Sequence, residues 1–153
     1  MPKIELVRLS GDYGFEATDE NGHSVKMDTN PQSGGLDFGV RPMQMLLMGL
    51  AGCSAIDVIG ILKKQRQEIK GYKMVVNGDR EAGVEPSLWS DIDMEFHLYG
   101  DIDVEKAQKA ADLSVGKYCS VAATLVKAGG VGFKHVVAAG GHHRQHLAHV
   151  ANN

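Results

Sequence analysis

From Met43 to Ile56 the chain carries no charge, and past Asp57 the apolar residues resume through Val58, Ile59, Ile61 and Leu62. Pro42 suits the first turn of a helix. The pattern predicts one helix from Pro42 to about Ile69, stopped by Gly71. Its apolar side chains, among them Leu46, Leu47, Met48, Leu50, Ile56 and Val58, go round the helix rather than along one stripe. Such a helix must be covered on all sides. The uncharged stretch is 14 residues, short of the ~20 that a membrane span needs, and it contains Gly49 and Gly52. A buried core helix is therefore expected, not a span. About 20 residues make it ~30 Å long, more than one small sheet can cover. A second copy of the chain is expected on the other flank, in an obligate homodimer with the two long helices near its core.

The other segments fall in order around this helix. Lys3 to Leu9 alternates and reads as a strand. Gly11-Asp12 and Glu20-Asn21-Gly22 are turn signals, so Gly14 to Thr18 and His23 to Asp28 read as two more strands. Asn30 to Val40 is a Gly-rich loop; without a following Gly-Lys-Ser/Thr it is not expected to cradle phosphate. Tyr72 to Asn77 and Leu88 to Leu98 form a second hairpin. Asp103 can cap a helix from Val104 to about Leu113, and Ser114 another from Val115 to Ala128, ended by Gly129-Gly130. Val131 to Ala138 is a last strand. The order βββ-α-ββ-αα-β argues for an α+β fold, with no repeat and no linker that would split the chain.

At 153 residues this is about one domain, residues 1–139. The segment 140–153 stands apart. It holds His142, His143, His146 and His149 and reads as a disordered tail, or an artificial extension, rather than a metal site. A net charge of -3 gives no footprint for nucleic acid. The cluster Lys63, Lys64, Arg66 and Lys70 suits the negative end of the long helix. Lys3, Glu5 and Arg8 break up any secretory signal, so a cytoplasmic location is expected. No cofactor and no metal are expected.

Only two cysteines are present, Cys53 in the long helix and Cys119 in Leu113-Ser114-Val115-Gly116-Lys117-Tyr118-Cys119-Ser120-Val121-Ala122-Ala123. Lasting disulfides are rare in a reducing cytoplasm. The pair is therefore either core packing, as small buried residues often are, or a redox couple. The two can be bridged only if their α-carbons come within about 7 Å.

The stretch Arg41-Pro42-Met43-Gln44-Met45-Leu46-Leu47-Met48-Gly49-Leu50-Ala51-Gly52-Cys53-Ser54-Ala55-Ile56-Asp57-Val58, with the segment around Cys119, resembles the OsmC/Ohr family of osmotically induced and organic-hydroperoxide-resistance proteins. The resemblance runs to about Ala139. It is nearest a less-characterised branch with Gly-Cys-Ser-Ala-Ile-Asp-Val on the central helix. It implies an intertwined α+β homodimer with active sites at the subunit interface. It also implies thiol-based reduction of organic hydroperoxides, with Cys53 as the attacking and Cys119 as the resolving cysteine. A thiolate that attacks a peroxide becomes a sulfenic acid, which a second thiol traps as a disulfide. An external dithiol would restore both.

Activation is where this chain departs from the resemblance. A buried thiol needs a nearby cation, and Cys53 is mid-helix, with Asp57 one turn on opposing a thiolate. Better-known members use an arginine from the N-terminal hairpin and a glutamate at the start of the central helix. Here Gln44 stands nearest the glutamate position, and Tyr13-Gly14-Phe15 has no arginine. Arg8 and Arg41 remain as candidates. Arg41 is 12 residues before Cys53, about 18 Å along an unbroken helix. Gln44 could orient a peroxide or simply start the helix. Cys119, in the first turns of a helix capped by Ser114 and near Lys117, is better placed for a dipole effect. The expected function is thiol-dependent hydroperoxide reduction through Cys53, Cys119, Gln44 and Arg41. The alternative is a non-catalytic protein of the same fold that binds a small apolar or electrophilic ligand at the dimer interface.

Overall fold

The structure, a computed structural model, describes residues 1–129 and 131–140. The histidine-rich tail lies outside the described residues from position 141 onward. The elements are β1 (Ile4–Ser10), β2 (Gly14–Asp19), β3 (Ser24–Met27), α1 (Pro42–Lys64), β4 (Glu68–Arg80), β5 (Trp89–Asp101), α2 (Val104–Leu113), α3 (Ser120–Gly129) and β6 (Gly132–Ala139). The α+β class and the order βββ-α-ββ-αα-β are those read from the sequence. The chain divides into two compact units, Met1–Met48 and a second beginning at Gly49, with the change falling inside α1.

The first unit is an antiparallel sheet in the order β1-β2-β3. The turn at Asn21-Gly22 forms because Gly22 takes a φ of 87° and the Asp19 carboxylate accepts the N–H groups of Asn21 and His23. The Gly-rich loop after β3 is organised from within by Asp28, only 2% exposed. Its carboxylate accepts the N–H groups of Thr29, Leu36 and Phe38 at 2.7, 2.8 and 3.0 Å.

In the second unit the order is β4-β5-β6. β4 and β5 pair antiparallel, whereas β6 lies parallel to β5. A parallel neighbour requires a crossover, and α2 and α3 supply it. The alternation along β5 puts Ile92, Met94, Phe96 and Leu98 into the core. Gly100, at a φ of 134°, sits so close to the Glu68 carbonyl that no Cβ fits. Asp103 caps α2 by accepting the Lys106 N–H at 2.9 Å, as its sequence position predicts. Asp112 meets the His135 ring at 2.7 Å, tying α2 to β6.

Helix α1 ends five residues earlier than the sequence suggests. Arg66, at a φ of 58°, takes the left-handed position that usually falls to glycine. The Gln67 N–H reaches the Leu62 carbonyl and the Arg66 N–H reaches that of Lys63, which closes the helix. Gly71, expected as the stop, lies instead within β4 at an irregularity of the ladder. Along α1 the fully buried residues are Leu50, Ser54, Val58 and Leu62, a stripe at four-residue spacing. Each apolar member of it stabilises the fold by about 1.5–3 kcal/mol. Ile56, by contrast, is 73% exposed. At 23 residues α1 is long and apolar enough to cross a membrane. Its own chain buries 22% of the most apolar stretch, and Asp57 interrupts the run.

The depressed pKa of Asp28 yields a pH prediction. The Phe38 N–H, then those of Leu36 and Thr29, hold its carboxyl below the ordinary range against the opposing effect of burial, with Arg41 adding a smaller pull. A carboxylate with a lowered folded-state pKa stabilises above its unfolded value, about 3.9, and that contribution disappears as pH falls through the folded value. Asp28→Asn should remove this acid-dependent step. It should also speed amide exchange of the loop segment holding Leu36 and Phe38 by roughly tenfold at pH 7, read by hydrogen-exchange mass spectrometry.

Candidate functional site

The site begins with an unusual sequence at the end of α2. Ser114, expected to cap a new helix, instead continues α2, its N–H reaching the carbonyls of Ala110 and Ala111. The chain then widens into a single π-type turn, Ser114–Tyr118, closed by the Cys119 N–H on the Ser114 carbonyl at 2.8 Å. Such turns cluster at functional positions. Cys119 is therefore not inside a helix that Ser114 starts. It is itself the cap of α3: its backbone is extended, its carbonyl accepts the Ala123 N–H, and its Sγ accepts the Ala122 N–H at 3.4 Å.

Helix α1 faces this turn with two side chains on one face, Cys53 and Asp57, flanking the buried Ser54. The two sulfurs and a carboxylate oxygen of Asp57 all lie within 4.8 Å of one another. Both cysteines are free thiols, Cys53 half-buried and Cys119 buried. Two serines connect the helices. Ser54 Oγ donates to Cys119 Sγ at 3.5 Å. Ser114 Oγ lies 3.3 Å from both the Ser54 carbonyl and Asp57 Oδ2. Sequence reading paired the cysteines but missed the serines. The available signal was a serine at the spacing of the apolar stripe, where burial demands a partner.

Burial is the main cause raising the Cys119 thiol pKa, with Cys53 adding to it; Ser54 and Ala122, which hydrogen-bond the sulfur, pull the other way. Two cavities adjoin the cluster, one at Asp57 and one at Cys119. One of about 570 Å³ is lined by Ile56, Asp57, Gly60, Lys64, Leu113 and Tyr118, among others. Another of about 460 Å³ is lined by Val115, Lys117, Cys119, Val126, Lys127 and Phe133, among others. Both have apolar walls with lysines beside them.

Arg41 and Gln44 belong to the first unit. Arg41 Nη1 donates to Asp37 Oδ1 at 3.1 Å, and Gln44 Oε1 accepts the Arg41 N–H at 3.2 Å. Both side chains thus have local partners at the start of α1. Arg8 sits on β1, opposite Phe15 in the ladder.

A model of the family described as OsmC-like protein matches residues 33–132. Protein YhfA of Escherichia coli K12 is 40% identical over 115 residues, covering 74% of this chain and 82% of that protein. Among solved structures, a hypothetical protein from Aquifex aeolicus VF5 superposes with a TM-score of 0.75 and 28% identity, over 91% of this chain and 97% of that one. An organic hydroperoxide resistance protein OsmC from Legionella pneumophila superposes with a TM-score of 0.69 over 90% and 96% of the two chains. At 15% identity this shows a shared fold.

The balance at Cys119 can be tested directly. At pH 8 iodoacetamide should modify Cys53 ahead of the buried Cys119. Ser54→Ala, which removes a donor to the sulfur, should slow Cys119 alkylation by about threefold or more and move its pH profile upward. Peptide mapping reads both sites, and an unmoved profile would contradict the assigned bond.

Proposed function

Because this chain belongs to the OsmC-like protein family, we propose that it reduces organic hydroperoxides through a cycle of its two cysteines. The observation that carries this reading is the approach of the two thiols to within 4.8 Å. Cys53, the more exposed of the pair, attacks the distal peroxide oxygen as a thiolate. The O–O bond breaks, the alkoxide leaves as the alcohol after taking a proton, and Cys53 becomes a sulfenic acid. Cys119 then attacks the Cys53 sulfur, expelling water and forming a disulfide. An external dithiol returns both thiols by exchange.

Several features support this assignment. The Ser54 and Ala122 donors at Cys119 Sγ favour its thiolate when it must attack. The apolar walls of the flanking cavities suit alkyl over inorganic peroxide. Lys64, Lys117 and Lys127 line these cavities and supply positive charge there. Arg41 and Gln44 then act as a helix-start pair, or in positioning substrate at the partner's site.

The exposed Ile56 face of α1 also belongs to this reading. An apolar helix face left open by its own chain is an association surface, and a second copy of the chain would cover it. The protein is accordingly proposed to be a homodimer acting in the cytoplasm, with residues 1–139 as the folded domain and the segment that follows as a tail. A second reading is favoured by the buried, raised thiol of Cys119: an OsmC-like protein that binds a small apolar or electrophilic molecule without turnover.

Steady-state consumption of cumene hydroperoxide with a dithiol reductant separates the two readings. The unmodified protein should turn over. Cys53→Ser should lose at least about a hundredfold. Cys119→Ser should stall as the sulfenic acid accumulates and over-oxidises. Absence of turnover, with a small molecule retained in native mass spectrometry, would select the binding protein.

A further inference from the structure

Asp57 is difficult to explain as part of a peroxide site. Its carboxylate stands within 4.8 Å of both sulfurs and has no part in the thiol cycle. Yet the fold holds it there, with Ser114 Oγ 3.3 Å from its Oδ2. The same three groups make a good ligand set. Two thiolates and one carboxylate are all donors that zinc takes, and three protein ligands leave a fourth position open. We propose that the reduced protein binds one zinc-type divalent cation through Cys53 Sγ, Cys119 Sγ and a carboxylate oxygen of Asp57.

The geometry requires only a small contraction. In tetrahedral zinc sites with bonds of about 2.3 Å to sulfur, ligand atoms stand roughly 3.8 Å apart. Here all three lie within 4.8 Å, so side-chain rotation of less than an ångström or so at each atom suffices. The supporting groups are those that metal thiolates and carboxylates use. The Ala122 N–H and Ser54 Oγ donate to Cys119 Sγ, and the Ser114 hydroxyl orients Asp57. The cavities beside Asp57 and Cys119 give an ion and its remaining water a route in. Binding displaces the two thiol protons to solvent and changes no oxidation state. Disulfide formation removes both sulfur ligands, so the ion can be held only in the dithiol state. The ion in turn occupies both sulfurs that peroxide chemistry would use. This site does not depend on the peroxidase reading; it needs only the three side chains together.

The test uses cobalt(II) as a spectroscopic substitute for zinc, added without oxygen to the reduced, chelator-stripped full chain. The tail histidines are a competing sink, so the same titration is run on H142A/H143A/H146A/H149A. The expected result is a thiolate-to-cobalt charge-transfer absorption that saturates at one cobalt per chain in both proteins and is displaced by zinc. It should be lost in Cys53→Ser and in Cys119→Ser. Asp57→Asn should weaken binding by on the order of tenfold or more. Should a cysteine variant fail to fold, the disulfide-oxidised unmodified protein serves the same purpose and should show no band. The proposal is overturned by absence of the band in the reduced protein, by its persistence after oxidation, or by cobalt uptake confined to the tail. An unchanged affinity in Asp57→Asn overturns the third ligand. Hydroperoxide turnover without cobalt binding would dismiss the metal site and leave the peroxidase standing.

Discussion

Helix α1 and the wide turn that follows α2 are joined by hydrogen bonds centred on two buried serines, Ser54 and Ser114. Ser54 lies in the buried stripe between Leu50 and Val58, where an unpaired hydroxyl would cost about 1–3 kcal/mol. Its Oγ finds Cys119 Sγ, and Ser114 Oγ lies within reach of its carbonyl and of Asp57. Buried polar groups of this kind tolerate few arrangements, because each needs a partner within reach. That requirement fixes the rotation of α1 against the turn. Cys53 and Asp57, the neighbours of Ser54 on the helix, are carried to Cys119 as a consequence.

The turn itself has a chemical effect. A regular helix through Ser114 to Ala123 would have placed Cys119 mid-helix, with its N–H engaged within the helix and its sulfur without the Ala122 donor. By widening over Ser114–Tyr118 and restarting at Ser120, the chain makes Cys119 a cap. Its sulfur then takes a hydrogen bond from the first turn of α3, at the end where the helix dipole favours negative charge. Burial and the neighbouring Cys53 push the other way and prevail. The thiol is therefore held protonated until something displaces its proton. That suits a resolving cysteine that waits for a sulfenic acid, and equally a ligand that waits for a metal ion.

Much of the fold could be read from the residues. Alternation in Leu88–Leu98, the Asn21-Gly22 turn, the Asp103 cap and the all-round apolar helix gave the element order and the α+β class. The family resemblance pairs the cysteines across 66 positions of sequence, and the fold brings them together. What failed did so locally. Arg66 stands in a left-handed conformation that usually falls to glycine, so α1 ends before the Gly71 that the sequence marks as its stop. The π-type turn at Ser114 depends on tertiary packing and has no sequence rule behind it. The parallel placement of β6 beside β5 follows from the crossover, not from the strand's own pattern. Asp57 looked like an obstacle because its partner Ser114 lies 57 positions away and shares no motif with it.

The central claim is that the two sulfurs form one reactive unit. Treating the reduced protein with a single equivalent of an organic hydroperoxide and mapping its peptides without reduction tests that claim most directly. The expected product is an intramolecular crosslink between the peptides of Cys53 and Cys119, reversed by a dithiol. Oxidation that stops at one cysteine, or links separate chains instead, would contradict it.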